Sequence, residues 1–403
     1  MLISKNFLRL LPLLLLIFLD SFSFFVVIPV FLKIFYHARY GLLPVTTTLA
    51  QQNKMIGITL SLSMLAALLS APFVGAFSDN YGRKKTLLFC LLCVTIGFLL
   101  PIIGILKKNL YLILIGRFIA GIGSSSQPIA QASVADLSRD TEKAYFLSLI
   151  ALMMTLALIL GPLIGGYLTD THWVHWFSIT TPLSFALGLS VFNILLLLFF
   201  FKETLNERAR NSVTSLKSIV LGLSKAIKTF RFGLLLITFF FLELGWSQYY
   251  QSISLFLHLQ LHYSVDKISL FTATMGITMS LGLLILYPLF LRIASIKSIM
   301  RYSVSLVFIG LFSCALFPFS TAHWIFSNLI AVATGCAYVS LVALISNKMD
   351  SKNQGKTMGY LSTLLYLAWM ITAFDGGFLV SWHTALPIYL STFFLFIACF
   401  GIV

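Results

Sequence analysis

Four ionisable residues lie deep inside long apolar stretches of the sequence: Asp20, Arg117, Glu243 and Asp375. An unpaired charge at the centre of a bilayer costs at least about 2.5–3.5 kcal/mol, so these side chains are expected to face the protein interior. A carboxylate buried there can take up a proton from one side and release it to the other. We therefore predict proton exchange at the three carboxylates, with Arg117 beside them. The alternative is that Asp20 and Arg117 form a purely structural ion pair.

Polar and aromatic residues follow Glu243 at helical spacing. They stand three, four, seven and eleven positions further on, at Trp246, Ser247, Tyr250 and Ser254. A second polar face follows Arg117 and consists of Ser124, Gln127 and Gln131. We predict that both faces line a substrate cavity with carboxylates at its centre, which suits a moderately lipophilic organic solute, including a cation. The alternative for the aromatic stripe is ordinary helix packing.

The segment GAFSDNYGRKK, residues 75–85, separates two apolar stretches. Gly75 is expected to allow a close helix contact, and Gly82 is expected to permit a tight reversal of the chain. Asp79 stands beside the basic triplet 83–85 at the membrane face. A loop that is basic only because it faces the cytoplasm needs neither the spaced glycines nor the aspartate.

A second motif, GPLIGG, occupies residues 161–166. Its small residues allow a helix to pack tightly on a neighbour, and its proline bends the helix. We predict that Gly161, Pro162, Gly165 and Gly166 form a helix-packing motif.

These residues must be positioned by membrane helices. Of the 403 residues, 59% are hydrophobic and 10% are charged, whereas soluble domains contain roughly 25% charged residues. Apolar runs of about 20 residues, the length that spans a bilayer, recur along the chain. We predict an all-α polytopic membrane protein with twelve transmembrane helices in two six-helix halves, residues 1–201 and 232–403, joined by a cytoplasmic linker at 202–231. The first, fourth and eighth helices are each predicted to be continuous.

The positive charge is distributed unevenly between the loops. The formal net charge of +15 could suggest nucleic-acid binding, but the basic residues sit in short loops rather than on one face of a domain. When both termini are placed in the cytoplasm, 20 of the 27 Lys and Arg residues fall on the inside. This positive-inside pattern predicts a bacterial inner-membrane protein with cytoplasmic termini.

The two halves also look like repeats. The triplet FLD at 18–20 corresponds to FLE at 241–243, and GGYL at 165–168 corresponds to GGFL at 376–379. Parallel repeats of this kind occur in transporter folds, where the substrate site lies near the membrane midplane.

Several motifs together resemble one family. The segment 75–85 is similar to the pattern G-x-x-x-D-x-x-G-R-[KR]-[RK] of the major facilitator superfamily. Arg117 with Gly121 and the triplet ADL at 135–137 resemble its second motif. The GPLIGG motif and KETL at 202–205 resemble the drug/proton antiporter branch with twelve helices, which includes tetracycline and multidrug antiporters. The sequence departs from tetracycline antiporters because its third and ninth helices contain no acidic residue.

The resemblance implies a major facilitator fold and a secondary active transporter that exports drugs or related small organic molecules by proton-coupled alternating access. It also implies a cytoplasmic gate in which Arg83 pairs with Asp136 and Asp79 meets the start of the eleventh helix near Thr357. The gate residues implied in this way are Gly75, Asp79, Gly82, Arg83, Lys84 and Asp136.

Other functions remain open at this point. A dedicated metabolite or siderophore carrier, for export or uptake, would have the same fold, as would a transporter-like receptor. An enzyme is not expected, because no nucleophile, base and oxyanion site come together in any loop. No nucleotide-binding P-loop motif is present. We expect no cofactor, no metal and no nucleic acid, and a monomer that works with protons, a small-molecule substrate and the lipid bilayer.

Overall fold

A computed structural model of the chain describes residues 2–37, 40–137, 143–170, 172, 174–204, 221–224, 227, 230–348 and 354–401. All elements of regular structure in these residues are helices, which confirms the predicted fold class. Their bounds are α1 Leu2–Phe25, α2 Val27–Tyr36, α3 Leu49–Tyr81, α4 Arg83–Leu106, α5 Leu110–Ser124, α6 Gln127–Leu137, α7 Lys143–Tyr167, α8 Thr181–Phe200, α9 Phe230–Leu259, α10 Val265–Leu281, a π-helical segment Gly282–Leu286, α11 Tyr287–Ile293, α12 Ile296–Leu316, α13 Ser320–Ser346, α14 Gln354–Trp382 and α15 Leu386–Phe400.

Nine candidate spans in the described residues are long and apolar enough to cross a membrane. They are Leu10–Tyr36, Leu49–Tyr81, Arg83–Leu106, Thr181–Phe200, Phe232–Leu259, Val265–Ile293, Ile296–Leu316, Ser320–Ser346 and Gly359–Trp382. Two shorter apolar helices, Leu152–Tyr167 and Leu386–Phe400, occupy the expected positions of the fifth and twelfth spans. The pair α5 and α6 occupies the position of the fourth.

Three of the predicted helices are interrupted, and a proline explains each interruption. Proline lacks an N–H and its ring clashes with the carbonyl group four residues earlier. Pro29 stands four residues after Phe25, the last residue of α1, and Pro128 stands four residues after Ser124, the last residue of α5. Pro288 stands four residues after Leu284, the middle residue of the π-helical segment. The expectation of a continuous first, fourth and eighth helix is therefore wrong at these points.

The chain divides into two compact units. The first comprises Met1–Thr47 and Leu62–Ile219, and the second comprises Thr48–Ser61 and Val220–Val403. The first turns of α3 belong to the second unit because they approach α14 closely. A β-carbon on Gly57 would lie 2.8 Å from the carbonyl oxygen of Ala373.

Three helix pairings recur in both units. In the first unit α1 packs along α7, and α4 packs along α5 and α8. In the second unit α9 packs along α14, and α12 packs along α13 and α15. The first and fifth helices of each predicted half thus form a pair, as do the third and fourth and the third and sixth. This pairing supports the repeat that the short sequence matches suggested.

Candidate functional site

The carboxylate of the first unit lies beside the interruption between α5 and α6. Asp20, on α1, is 5% exposed, and its Oδ2 accepts a hydrogen bond of 2.6 Å from the Ser126 hydroxyl. Its Oδ1 has no partner among the described residues. Ser126 can reach Asp20 because the helix breaks there, ahead of Pro128 in the first turn of α6. The partner of this carboxylate is a neutral hydroxyl group.

Arg117 lies on α5 and is 1% exposed. Its Nη1 donates to the Ser23 carbonyl oxygen at 3.1 Å, and its Nη2 donates to Ser63 Oγ at 2.9 Å. The guanidinium also stands over the ring of Phe31, 5.9 Å from its centroid. Although both residues are described, Asp20 and Arg117 form no ion pair. The structure therefore does not support the alternative of a structural pair between them: a backbone and a hydroxyl oxygen bind the two terminal nitrogens of the guanidinium, and its Nε has no partner among the described residues.

The predicted polar face of the fourth span is divided between α5 and α6. Ser124 Oγ donates to its own helix at Ala120 O, 3.2 Å away. Gln127 is half-buried and its Nε2 approaches Met154 Sδ at 3.2 Å. Gln131 is half-buried on α6. The interruption separates Ser124 from the two glutamines, so they do not continue one helical face.

The carboxylate of the second unit has a different donor. Glu243, on α9, is 3% exposed, and its Oε2 accepts a hydrogen bond of 3.0 Å from the Trp369 indole nitrogen on α14. One turn further along α9, Ser247 Oγ donates to the Glu243 backbone carbonyl at 2.6 Å. The same hydroxyl accepts a bond of 2.8 Å from Thr372. A chain of neutral groups thus connects α9 to α14 around Glu243.

The polar and aromatic stripe after Glu243 is buried. The residues predicted to line a substrate cavity, Trp246, Ser247, Tyr250 and Ser254, are at most 5% exposed. The reason is packing against α14. The Tyr250 ring lies 5.6 Å from that of Trp246 and 6.2 Å from that of Trp369. The stripe is an internal face of the second unit in this state.

Asp375 lies about one turn from Thr372 and about two turns from Trp369 on the same helix, α14, and is partly buried. The side chain of Gln248 on α9 lies close to its carboxyl group. Its Oδ1 has no partner among the described residues. The second unit therefore brings Glu243 and Asp375 to one helix pair, whereas Asp20 and Arg117 lie in the first unit.

The segment after α3 forms a one-residue reversal between two helices. Gly82 has φ +101° and separates α3 from α4. Glu203 binds this reversal, because its carboxylate accepts hydrogen bonds from the backbone nitrogens of Arg83 at 3.0 Å and Lys84 at 3.2 Å. A negative charge at a helix N-terminus is stabilised by the free N–H groups and the helix dipole. Glu203 thus anchors the end of the first unit's last helix to the start of α4.

The other predicted gate residues are less constrained. Asp79 is exposed in the last turn of α3. No described atom lies within 4 Å of a β-carbon built on Gly75, so the close contact expected there is absent. The side chains of Asp136 and Thr357 fall outside the described residues, so the pairings expected for them stay predictions.

The GPLIGG motif packs α7 onto the break between α1 and α2. A β-carbon on Gly161 would lie 2.5 Å from Phe25 Cβ, and one on Gly165 would lie 2.4 Å from the Val26 carbonyl oxygen. Pro162 lies inside the continuous helix α7. Gly166 is described in the last turn, where its carbonyl accepts from the Thr169 hydroxyl. Helix α7 can approach so closely only because these positions lack side chains.

Sequence reasoning missed three residues that the structure brings to the candidate site: Ser126, Trp369 and Glu203. Ser126 was one of three consecutive serines, and only Pro128 indicated where the helix would break. Trp369 has a weak signal, since it stands at helical spacing from Thr372 and Asp375. Among the described residues, no group of three or more His, Cys, Asp or Glu side chains is arranged to hold a metal ion.

Comparisons with known proteins agree with one another. A family model described as Major Facilitator Superfamily matches residues 10–373. The class H tetracycline resistance protein of Pasteurella multocida is 25% identical over 337 residues, covering 82% of this chain and 80% of that protein. The class E protein of Escherichia coli is 24% identical over 91% of this chain and 87% of that protein.

Solved structures have the same fold at low sequence identity. The human organic anion transporter MFSD10 (TETRAN) superposes with a TM-score of 0.75 at 18% identity, covering 99% of both chains. A D-xylose–proton symporter superposes with a TM-score of 0.78 at 14% identity, covering 99% of this chain and 97% of that one.

Proposed function

The chain belongs to the Major Facilitator Superfamily and is a multi-pass membrane transporter, and from this premise we propose that it exports drugs or related small organic molecules in exchange for protons. Tetracycline resistance proteins are among the curated relatives that match most of this chain, which supports export rather than uptake. The missing acidic residues in the third and ninth spans favour other organic molecules over tetracycline itself. Alternating access, as the family implies, would move the substrate.

One observation carries the proposal. Each predicted half buries a carboxylate on its first membrane helix, Asp20 or Glu243, and within the described part of the chain its donor is one neutral group, Ser126 or Trp369. An ion pair would fix the carboxylate in its charged form. A neutral donor leaves the group free to lose its charge by taking up a proton, because the charged form is costly away from water.

The energy that protons supply is sufficient. One proton that moves inward across 100 mV releases about 2.3 kcal/mol, which sustains a roughly fiftyfold solute gradient. Uphill export therefore requires no nucleotide site.

We propose that the protein resides in the bacterial inner membrane with both termini in the cytoplasm, and that it works as a monomer. The unequal distribution of basic residues between alternate loops supports this orientation.

The function is tested in everted membrane vesicles from an overexpressing strain. The vesicles are acidified by respiration, and a panel of structurally different drugs is added while an internal pH dye is monitored. For an antiporter, drugs that are substrates should release protons from the vesicles, and vesicles without the protein should not respond. Proton movement in the opposite direction, with metabolites but not drugs as the active compounds, would replace export by proton-coupled uptake.

A further inference from the structure

Three buried acceptor oxygens on the α9–α14 face of the second unit have no donor. They are Oε1 of Gln248, Oε1 of Gln251 and Oδ1 of Asp375, all without a hydrogen-bond partner among the described residues. Gln248 is 0% exposed and Gln251 is 5% exposed. A buried acceptor without a donor costs about 1–3 kcal/mol. Three such atoms on one pair of helices therefore call for a physical explanation.

The orientation of Gln251 is fixed by its neighbours. Its Nε2 donates to the Trp369 backbone carbonyl at 3.2 Å and to Thr372 Oγ1 at 2.8 Å. A backbone carbonyl can only accept a hydrogen bond, so the amide nitrogen must be on that side. The amide oxygen consequently points away from both bonds, as an acceptor.

Gln248 stands one turn before Ser252 on the same helix, and its Nε2 donates to Ser252 Oγ at 3.2 Å. Its Oε1 has no partner among the described residues. Gln248 and Gln251 thus each present an amide oxygen that no described donor reaches.

No cation of the same helices balances these acceptors. The sequence has no Lys or Arg from Phe232 to Leu259 of α9 or from Gly359 to Trp382 of α14. The two carboxylates of this face, Glu243 and Asp375, add negative charge. We propose that this face binds a protonated organic amine through its N–H groups, and that it selects such a solute over a cation of equal charge without N–H.

The proposal rests on the proposed transport function and specifies its substrate class. Hydrogen bonds from a cationic N–H to an oxygen are roughly twice as strong as those between neutral groups. The rings of Trp369 and Tyr250 attract any cation and do not distinguish an ammonium group from a quaternary one. Selectivity for N–H must therefore come from the three oxygens.

The test uses two compounds with one skeleton, 4-phenylbutylammonium and its N,N,N-trimethyl counterpart. Their binding to the full-length protein in lipid nanodiscs is measured by calorimetry. The primary ammonium compound should bind about tenfold tighter or more, the difference expected for one hydrogen bond to a charged group. Gln248→Leu should lose this advantage and keep its affinity for the trimethyl compound within about twofold. Gln251→Leu provides an independent second variant if Gln248→Leu does not fold, as judged by thermal unfolding.

Gln260→Leu is the matched control, because Gln260 is an exposed residue at the end of α9 whose Oε1 accepts from Thr384. It should bind both compounds like the parent protein. Equal affinity of the parent for the two compounds overturns the proposal, since water alone then satisfies the oxygens. The proposal is also wrong if Gln248→Leu and Gln251→Leu both still bind the primary ammonium compound more tightly than the trimethyl compound. The smaller size of the primary ammonium group would then explain its tighter binding.

Failure of this proposal and failure of the proposed function have different signatures. If neither amine compound binds to the protein, the proposed substrate class is wrong. The export function would still hold if neutral or anionic drugs release protons from the everted vesicles. Selective amine binding without any drug-driven proton movement would leave the binding face standing and remove the export function.

Discussion

The Trp369 indole nitrogen donates a hydrogen bond of 3.0 Å to the Glu243 carboxylate in the second unit. In the first unit the Ser126 hydroxyl donates one of 2.6 Å to Asp20. The two carboxylates occupy corresponding places in the FLD and FLE triplets, yet one donor lies at the break between α5 and α6, the other lies on α14, and the two differ in chemistry. The repeat therefore preserves the arrangement, a buried carboxylate with one neutral donor, rather than the residues that build it.

Trp369→Phe should slow proton-driven export about tenfold, the cost of one hydrogen bond to a charged group. The phenyl ring keeps most of the packing against Tyr250 and removes the N–H. Initial rates of drug-driven proton movement in everted vesicles measure the effect. Trp382→Phe, the same change at a 77% exposed position at the end of the same helix, is the control and should keep the parent rate. Equal rates for the two variants would remove Trp369 from the proton pathway.

Much of the fold could be predicted from the sequence because each helix that spans a bilayer needs a long run of apolar residues. Apolar runs of the required length locate the helices, and the interruptions follow from chemistry already visible in the sequence. Pro29, Pro128 and Pro288 each stand four residues after a break. Mean hydropathy is taken over a window of residues and does not register a single proline, so it predicts continuous helices at these positions.

The candidate site was less predictable because its bonds join distant residues. Glu243 and Trp369 are 126 positions apart, and nothing near either one indicates the other. The polarity of the stripe at Trp246 and Tyr250 predicts a substrate cavity. Periodicity defines a face of a helix but not what covers that face, and here α14 covers it.

Gly165→Ala should destabilise the protein by about 3 kcal/mol, because the new methyl group would stand 2.4 Å from the Val26 carbonyl oxygen and overpacking of this kind costs roughly 1–3 kcal/mol. Thermal unfolding in detergent measures the effect. Gly188→Ala is the control, since no described atom lies within 4 Å of a β-carbon there. It should be neutral or slightly stabilising. Similar unfolding temperatures for both variants would contradict the tight packing of α7.

Glu203→Ala should lower stability by about 1 kcal/mol, because the backbone nitrogens of Arg83 and Lys84 lose their acceptor at the start of α4. Glu203→Gln retains one acceptor oxygen and should lose less. Unfolding temperatures and export rates of the two variants are compared with the parent. If Glu203→Ala is as stable as the parent protein, solvent satisfies these nitrogens equally well and the anchor has no energetic role.

Asp79→Asn should slow transport roughly two- to fivefold, the range expected for one charge at a helix terminus. Substrate affinity should not change, because the gate expected at Asp79 governs the exchange between inward and outward states. Asp79→Glu keeps the charge and is the matched comparison. The gate hypothesis predicts equal drug affinity in all three proteins; a large loss of affinity with a normal transport rate would argue for a binding role instead.

Protons exchanged at Asp20 and Glu243 should drive export, and drug-driven proton flux in proteoliposomes measures this coupling. Purified Asp20→Asn and Glu243→Gln proteins are reconstituted beside the parent, with Asp170→Asn, outside the apolar spans, as the control. An imposed pH gradient supplies the energy, and the drug and proton movements are recorded together. We predict that both substitutions abolish uphill drug movement and drug-driven proton flux while thermal unfolding and the control remain unchanged. Uphill transport at the parent rate by both variants would contradict the account.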